Sequence, residues 1–221
     1  MDKTRKLESW LTLVFSLLIL FIPQYGVIAA FVLFCVYVRR SQDRKAVLRS
    51  LGFKPPANWV KTICLCLLLG VVIEVSSQLV VTPLLERLTN SRLDLAALGH
   101  LRGNLGAYLL WLGIGWVVGG LLEETLFRGF LLTRVAALVG SGSLGKLLGL
   151  LTTSLAFGLC HLYQGWSGVL STSLIGAIFG VIFLGSGRNL WYPILTHGFV
   201  NTTGLTLIFF NYDTKLHSFF F

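Results

Sequence analysis

Apolar residues run along the chain in long blocks, and short basic or mixed polar stretches separate these blocks. Seven blocks occur, at Trp10–Ile22, Val27–Val38, about Ile63–Val81, Gly106–Val139, Leu147–Tyr163, Val169–Leu184 and Tyr192–Phe210. A helix of about 20 apolar residues spans the hydrocarbon core of a bilayer. The pattern therefore predicts an all-α fold, a polytopic transmembrane helical bundle of about seven helices, within a range of six to eight.

The first two blocks are short for full spans, and Pro23-Gln24-Tyr25-Gly26 separates them. They form either a hairpin of two short or tilted helices or one broken helix. Basic residues precede the pair and follow it, and both flanks favour the cytoplasm, so the hairpin is the favoured interpretation. A cleaved signal peptide is disfavoured, because no small-x-small cleavage site follows Ile22.

A basic linker follows the hairpin at residues 39–60. Within it, Ser41–Leu51 is either an interfacial amphipathic helix or a solvated loop, and Gly52 with Pro55-Pro56 ends it. We expect two parts of the chain. Residues 1–60 form the hairpin and linker, and residues 61–221 form the bundle, with the polar motifs concentrated at 106–211.

Composition excludes the main soluble classes. Hydrophobic residues make up 55% of the 221 residues and charged residues 12%, against roughly 25% charged residues in soluble domains. The net charge of +9 lies in short flanks between apolar blocks, which is typical of cytoplasmic loops and gives no reason to expect nucleic acid as a partner. The N-terminus is then cytoplasmic, as are the loops at Arg134–Lys146 and near Arg188, and the C-terminus is not.

The cysteines say little about chemistry, and a disulfide or metal site is the weaker interpretation of their positions. Cys35, Cys64, Cys66 and Cys160 all lie inside apolar runs. We expect all four to be small buried apolar residues.

Four charged residues, Glu123, Glu124, Arg128 and Arg134, interrupt the fourth apolar block, and the first three lie close together in sequence. A charged side chain at the centre of a membrane helix costs about 2.5–3.5 kcal/mol, so such residues usually face a cavity or one another. Glu124 and Arg128 lie four apart on one helix face and are expected to pair. Glu123 then has no local cation and is free to face a cavity. The alternative is that all three charges form one structural cluster.

Two histidines and an asparagine lie in later blocks. His161 follows Phe157 by four residues, and His197 precedes Asn201 by four, which places that second pair on one helix face. Glu123 and His161 are each 19 residues from Gly142, so in two antiparallel helices they lie at the same depth. His197 lies close to the start of its helix and reaches this depth only if that helix is tilted or broken.

Glu74 is a further acid inside an apolar block. It lies four residues before Gln78, and Gln78, Arg128 or water are its expected partners. No role in chemistry is assigned to it.

One carboxylate, two histidines and one amide allow two kinds of hydrolysis. Glu123, His161 and His197 could hold Zn²⁺ with an open position for water. Alternatively, Glu123 and His161 deprotonate a water without a metal, and His197 and Asn201 stabilise the oxyanion. The two-histidine helix motif of soluble metalloproteases is absent, and no Ser or Cys has an obvious base beside it. A proton pathway or transporter is a weaker hypothesis, because no repeated half is visible.

These motifs together resemble a known family. A glutamate pair with an arginine four residues after the second, then Phe-x-x-x-His, then His-x-x-x-Asn, is the pattern of the CPBP intramembrane proteases. That group includes the type II CAAX prenyl endopeptidases and the bacteriocin-processing or Abi proteins. The chain matches with Glu123-Glu124 and Arg128, Phe157 and His161, and His197 and Asn201, in order, on separate predicted helices.

The resemblance implies a multi-pass membrane endopeptidase, either metal-dependent or glutamate-dependent, that acts on a peptide or membrane-protein substrate. It makes Glu123 and His161 the water-activating pair, His197 and Asn201 the oxyanion side, and Glu124 with Arg128 structural support. It also leads us to expect a prokaryotic cell membrane. Some relatives are discussed in bacteriocin immunity, so a non-proteolytic immunity or scaffold protein is the alternative. Neither a prenylated substrate nor an oligomeric state follows from the sequence.

Overall fold

The computed structural model describes Val14 and residues 26–140 and 142–213. Within these residues the chain is helical and contains no strand, which confirms the all-α prediction. Seven helices form the described part, namely α1 (Gly26–Arg40), α2 (Arg44–Leu51), α3 (Trp59–Thr89), α4 (Leu105–Val139), α5 (Ser143–Leu159), α6 (Gly165–Gly185) and α7 (Trp191–Phe209). The predicted block Trp10–Ile22, and with it the choice between a hairpin and a broken helix, lies outside the described residues apart from Val14.

Three described stretches are long and apolar enough to cross a membrane. They are α3, α4, and α6 together with the short 3₁₀ turn that precedes it, Leu162–Gly185. Helix α3 continues to Thr89, eight residues beyond the expected end at Val81. A π-helical turn at Ser77–Val81 precedes Pro83, and this wider turn accommodates a residue that has no backbone N–H to donate. Helix α4 contains two longer π-helical segments, Gly115–Glu123 and Thr125–Leu132.

The basic linker contains a true helix, so the loop alternative is wrong. The side chain of Asp43 accepts a hydrogen bond from the backbone N–H of Ala46 at the start of α2, at 2.9 Å. Gly52 ends the helix in the left-handed region, with φ of 108°. Its carbonyl accepts a hydrogen bond from the N–H of Leu190, at 2.9 Å. The linker is thereby attached to the turn that precedes α7.

Helices α4 and α5 form an antiparallel hairpin. The α-carbon of Gly149 approaches the carbonyl of Leu132 so closely that an added Cβ would lie 2.9 Å from it. Further along, the rings of Phe127 and Phe157 pack edge to face, 5.0 Å apart. Four residues onward from Phe157 is His161, and four residues back from Phe127 is Glu123. The register therefore places Glu123 and His161 at the same level, as the equal spacing from Gly142 predicts.

Helix α7 is held close to α3 and α4 by glycines. A Cβ on Gly70 of α3 would lie 2.5 Å from the Cβ of Phe199, and one on Gly120 of α4 would lie 3.1 Å from the carbonyl of Ile194. Leu190, just before α7, packs on Gly129 of α4. This contact places the start of α7 at the depth of Gly129. Helix α7 therefore brings His197 to the glutamate pair as a continuous helix, and no break is needed.

Two buried clusters fill the bundle. The larger one lies between α4, α5, the start of α7 and the α1–α2 region, and contains Phe127, Phe130, Phe157, Phe183, Leu190 and their neighbours. The smaller one joins the 3₁₀ helix Ala96–Leu101 to the end of α7 through Leu101, Leu205 and Ile208. The glutamate pair and its partners lie between these two clusters.

The expectation for the cysteines is wrong in part. Cys66 is buried, but Cys35 and Cys64 are exposed on the helix surface and Cys160 is half-buried. A membrane helix can direct small apolar side chains outward, because lipid tails are as apolar as the protein interior. The described residues contain no disulfide.

Candidate functional site

Glu124 and Arg128 form a buried ion pair on α4. Arg128 Nη1 donates to Glu124 Oε1 at 2.7 Å, and the two side chains are 1% and 0% exposed. Arg128 Nη2 donates to the carbonyl of Gly176 on α6, at 2.8 Å. The guanidinium carbon also lies 4.5 Å from the ring centroid of Phe157. The pair that the four-residue spacing predicts is present, and it connects α4 to α6.

The same carboxylate oxygen also binds His197 on α7. His197 Nδ1 lies 2.9 Å from Glu124 Oε1, and the imidazole stacks on the ring of Phe179 with centroids 4.6 Å apart. A carboxylate only accepts hydrogen bonds, so Nδ1 carries the proton and donates it. Glu124 thus orients His197 and leaves Nε2 available on the other side of the ring, as the partner of a working histidine does. The sequence shows no spacing signal for this contact, since it joins two helices.

Asn201 lies beside His197 at the same glycine of α4. Its amide Nδ2 donates to the carbonyl of Gly115, at 2.8 Å. A Cβ on Gly119 would lie 2.5 Å from Asn201 Nδ2 and 3.2 Å from His197 Nε2. The hydrogen-bonding atoms of His197 and Asn201 therefore meet over Gly119. The second N–H of the Asn201 amide is not used by Gly115.

Glu123 and His161 are at the same level but on different elements. His161 lies in the turn between α5 and α6, where its Nδ1 is 2.9 Å from the carbonyl of Phe157. That carbonyl is an acceptor only, so Nδ1 donates and Nε2 keeps its lone pair. Glu123 is half-buried and acts electrostatically on Cys160 and Tyr163, which flank His161. Within the described part of the chain, no hydrogen bond joins Glu123 to His161.

The candidate metal ligands do not form a metal-binding group in this arrangement. Among the described residues, no three His, Cys, Asp or Glu side chains are close enough together to hold a metal ion. Glu124, the carboxylate in contact with His197, is already shared with Arg128. The residues Glu123, His161 and His197 thus do not fit a zinc ion as placed here.

Glu74 lies apart from these residues. Gln78 Nε2 donates to Glu74 Oε1 at 2.8 Å, so Gln78 is the partner among the three that were expected. The carboxylate packs on α7, where a Cβ on Gly204 would lie 2.8 Å from Glu74 Oε1. Glu74 is therefore a structural contact between α3 and α7.

Glycines of α4 and α6 leave room for the polar side chains of the site. The sequence analysis did not identify those of α4. Gly115 and Gly119 have the small-xxx-small spacing of close helix contacts, and this signal was available in the fourth apolar block. On α6, Gly176 leaves room for the Arg128 guanidinium.

Replacing Gly119 by Ala is expected to lower any catalytic activity that depends on His197 and Asn201 by roughly 100-fold, because displacing a positioned group by about 1 Å can cost that much. The new methyl group would displace the Asn201 amide and crowd His197 Nε2. Stability should change little, since Ala favours a helix over Gly by about 1 kcal/mol. Initial rates and thermal unfolding in detergent would measure both.

The matched control is Gly113→Ala on the same helix, where an added Cβ meets no atom within 4 Å. We expect this variant to keep wild-type activity. Equal activity of the two variants would show that Gly119 does not adjoin the reacting groups.

Comparisons with known proteins agree with these motifs. Residues 105–203, which contain the glutamate pair, both histidines and Asn201, match the family model described as type II CAAX prenyl endopeptidase Rce1-like. Comparison with curated proteins and with solved structures found no match. The apolar spans and the family together identify an integral membrane protein with the general character of a CAAX-type protease. The match of residues 105–203 to the Rce1-like family model confirms the resemblance of this part of the chain to the CPBP intramembrane proteases.

Proposed function

We propose that the protein is an intramembrane endopeptidase. It hydrolyses a peptide bond of a membrane-associated polypeptide or of a C-terminal or prepeptide segment. The observation that carries this proposal is the meeting of His197 and Asn201 over Gly119, on the helix that also contains Glu123, an acid that makes no hydrogen bond within the described residues. Such an arrangement offers a general base and hydrogen-bond donors to one reacting carbonyl.

Glu123 and His161 activate the water in this proposal. The carboxylate of Glu123 accepts a proton from the water, while the lone pair on His161 Nε2 orients it. The water oxygen bonds to the carbonyl carbon of the scissile peptide, and the carbonyl oxygen becomes an oxyanion. The C–N bond then breaks, and the proton held by Glu123 passes to the leaving amine. The products are a carboxylic acid and an amine, so atoms and charges balance.

His197 and Asn201 stabilise the oxyanion. The free N–H of the Asn201 amide is one donor. His197 Nδ1–H is held by Glu124, so Nε2 donates to the oxyanion only when it also carries a proton. Arg128 balances the charge of Glu124 and fixes its position. Donors aimed at charge that develops in the transition state are worth about 2.7–4 kcal/mol each.

The same proposal includes the partners and the cellular location of the protein. The partners are the lipid bilayer and a peptide or membrane-protein substrate, without nucleic acid. The protein is a multi-pass component of a prokaryotic cell membrane, with a cytoplasmic N-terminus. Zinc is given no part in the mechanism, because the residues that could bind it are not grouped.

The test is to express wild type, His161→Ala, His197→Ala and Glu74→Gln, and to compare processing of membrane proteins and prepeptides by mass spectrometry. We expect the histidine variants to lose cleavage and Glu74→Gln to keep it. Normal cleavage by both histidine variants would reject this site. A host phenotype without any cleavage, and unchanged in the histidine variants, would favour the immunity or scaffold alternative.

Chelation tests the metal-free mechanism separately. The purified protein is freed of metal, its metal content is measured, and its activity is compared before and after. Full activity without metal is expected. Loss on chelation and recovery with Zn²⁺ would show that the ligands regroup around a metal.

A further inference from the structure

The positive charge of the chain is concentrated at one end of the bundle, which we call the basic end. Helices α4, α5 and α6 alternate in direction, so the α4–α5 turn and the α6–α7 turn lie at this end, together with the linker at 39–62. Asp43 is the one acid in the sequence of these segments, so they carry the whole formal net charge of +9, and the other charges of the chain cancel. The lysines and arginines of the basic end are Arg39, Arg40, Arg44, Lys45, Arg49, Lys54, Lys61, Arg134, Lys146 and Arg188.

The linker and the α6–α7 turn hold three of these cations close together. Lys54 Nζ donates to the carbonyl of Gly187 at 3.3 Å, and Arg188 Nη2 donates to the carbonyl of Ser50 at 3.4 Å. Arg49 precedes Ser50 in the last turn of α2 and is exposed, as are Lys54 and Arg188. A carbonyl does not neutralise a positive charge, and each of these side chains keeps further N–H donors. The cluster can therefore bind an anion.

Arg188 has an unfavourable backbone conformation in this cluster. Its φ is 60°, in the left-handed region that Gly and Asn adopt more readily than a residue with a long side chain. Gly187 before it has φ of 69°. Backbone strain of this kind is concentrated at functional positions. The turn itself would accept Gly or Asn at this place, so the arginine supplies a charge that the backbone does not require.

The basic end adjoins apolar surface that faces lipid. At the start of α3, Trp59, Val60 and Ile63 are 41%, 72% and 40% exposed. The ring of Trp59 also packs on that of Trp191 at the start of α7, with centroids 5.2 Å apart. Tryptophan beside lysine and arginine is typical of the level of the lipid headgroups. Lipids whose tails cover the start of α3 therefore place their headgroups beside the three cations.

We propose that Arg49, Lys54 and Arg188 form a binding site for the phosphate of an anionic phospholipid. The phosphate oxygens accept hydrogen bonds from the remaining donors of the three side chains, and the acyl chains lie along the exposed apolar residues of α3. A zwitterionic lipid carries a positive charge of its own and gains less from this site. The bound lipid joins the linker to the turn before α7 and stabilises their contact. This inference does not depend on the proposed hydrolysis.

Thermal unfolding with added lipid tests the choice of ligand. The protein in nonionic detergent is titrated with phosphatidylglycerol or with phosphatidylcholine, and the shift of the unfolding midpoint measures the affinity for each. Phosphatidylglycerol should raise the midpoint more, and high salt should reduce the difference. Inorganic phosphate and a soluble polyglutamate peptide should give no comparable shift. Equal shifts with the two lipids, or a soluble anion as effective as phosphatidylglycerol, would overturn the proposal.

Variants of the three cations test the place of binding. Arg188→Asn removes the charge and suits the left-handed backbone, so without lipid it should unfold near the wild-type temperature. Its affinity for phosphatidylglycerol should fall roughly 5-fold, and that of Arg49→Gln/Lys54→Gln/Arg188→Asn roughly 100-fold, since each cation contributes a factor of about 5. The control is Arg92→Gln, which removes an exposed cation outside the basic end and should keep wild-type affinity. Unchanged affinity in the triple variant, or an equal loss in the control, would overturn the proposal.

Discussion

Replacing Glu123 by Gln is expected to remove peptide hydrolysis while leaving the protein folded. The amide has nearly the same shape but cannot accept the proton of the attacking water, and loss of a general base typically costs about 10²–10⁴-fold in rate. Glu123 makes no hydrogen bond within the described residues, so unfolding in detergent should shift little. Measuring kcat and the unfolding midpoint on the same preparation checks both parts.

Two other glutamates provide matched controls for Glu123→Gln. Glu124→Gln should lower both activity and stability, because that carboxylate binds Arg128 and His197 together. Glu74→Gln should keep activity, because among the described residues Glu74 binds Gln78 and packs at the α3–α7 interface, apart from His197 and Asn201. If Glu123→Gln cleaves at the wild-type rate, another group takes the proton and the assignment of the base is wrong.

The sequence could predict that Glu123 and His161 lie at the same depth in the bundle, because their relative depth depends on few quantities. Both residues are 19 positions from Gly142 in sequence, and a short turn makes neighbouring helices antiparallel. The close helix approach at Gly149 and the paired rings of Phe127 and Phe157 then keep the register. The ion pair of Glu124 with Arg128 was predictable for a similar reason, since both residues lie on one helix, four positions apart.

The contact between Glu124 and His197 could not be predicted in this way. The two residues are 73 positions apart, and their distance depends on where α7 begins relative to α4. That depth is set by Leu190 packing on Gly129 and by its hydrogen bond to Gly52. Such long-range contacts leave no periodic signal in one sequence. The contact with His197 also gives the two neighbouring glutamates different roles, because Glu124 binds Arg128 and His197 together.

Replacing Arg128 by Met is expected to destabilise the protein by about 3–5 kcal/mol, because it leaves the Glu124 carboxylate buried with reduced compensation. Met fills similar space but offers no donor to Glu124 or to the carbonyl of Gly176 on α6. His197 would remain the single partner of the carboxylate among the described residues. Unfolding titrations in mixed detergent should show this loss, together with reduced activity.

A double variant separates the cost of the unpaired charge from the loss of the contacts. In Glu124→Gln/Arg128→Met both charges are gone, and replacing a buried ion pair as a whole is often nearly neutral for stability. We therefore expect the double variant to be more stable than Arg128→Met alone. Its activity should stay low, because the amide that replaces the Glu124 carboxylate carries no charge with which to hold His197 as a charged donor. If the double variant is no more stable than Arg128→Met, Arg128 acts mainly through Gly176 and the rings around it. If Arg128→Met is as stable as wild type, the ion pair is not the support that connects α4 to α6.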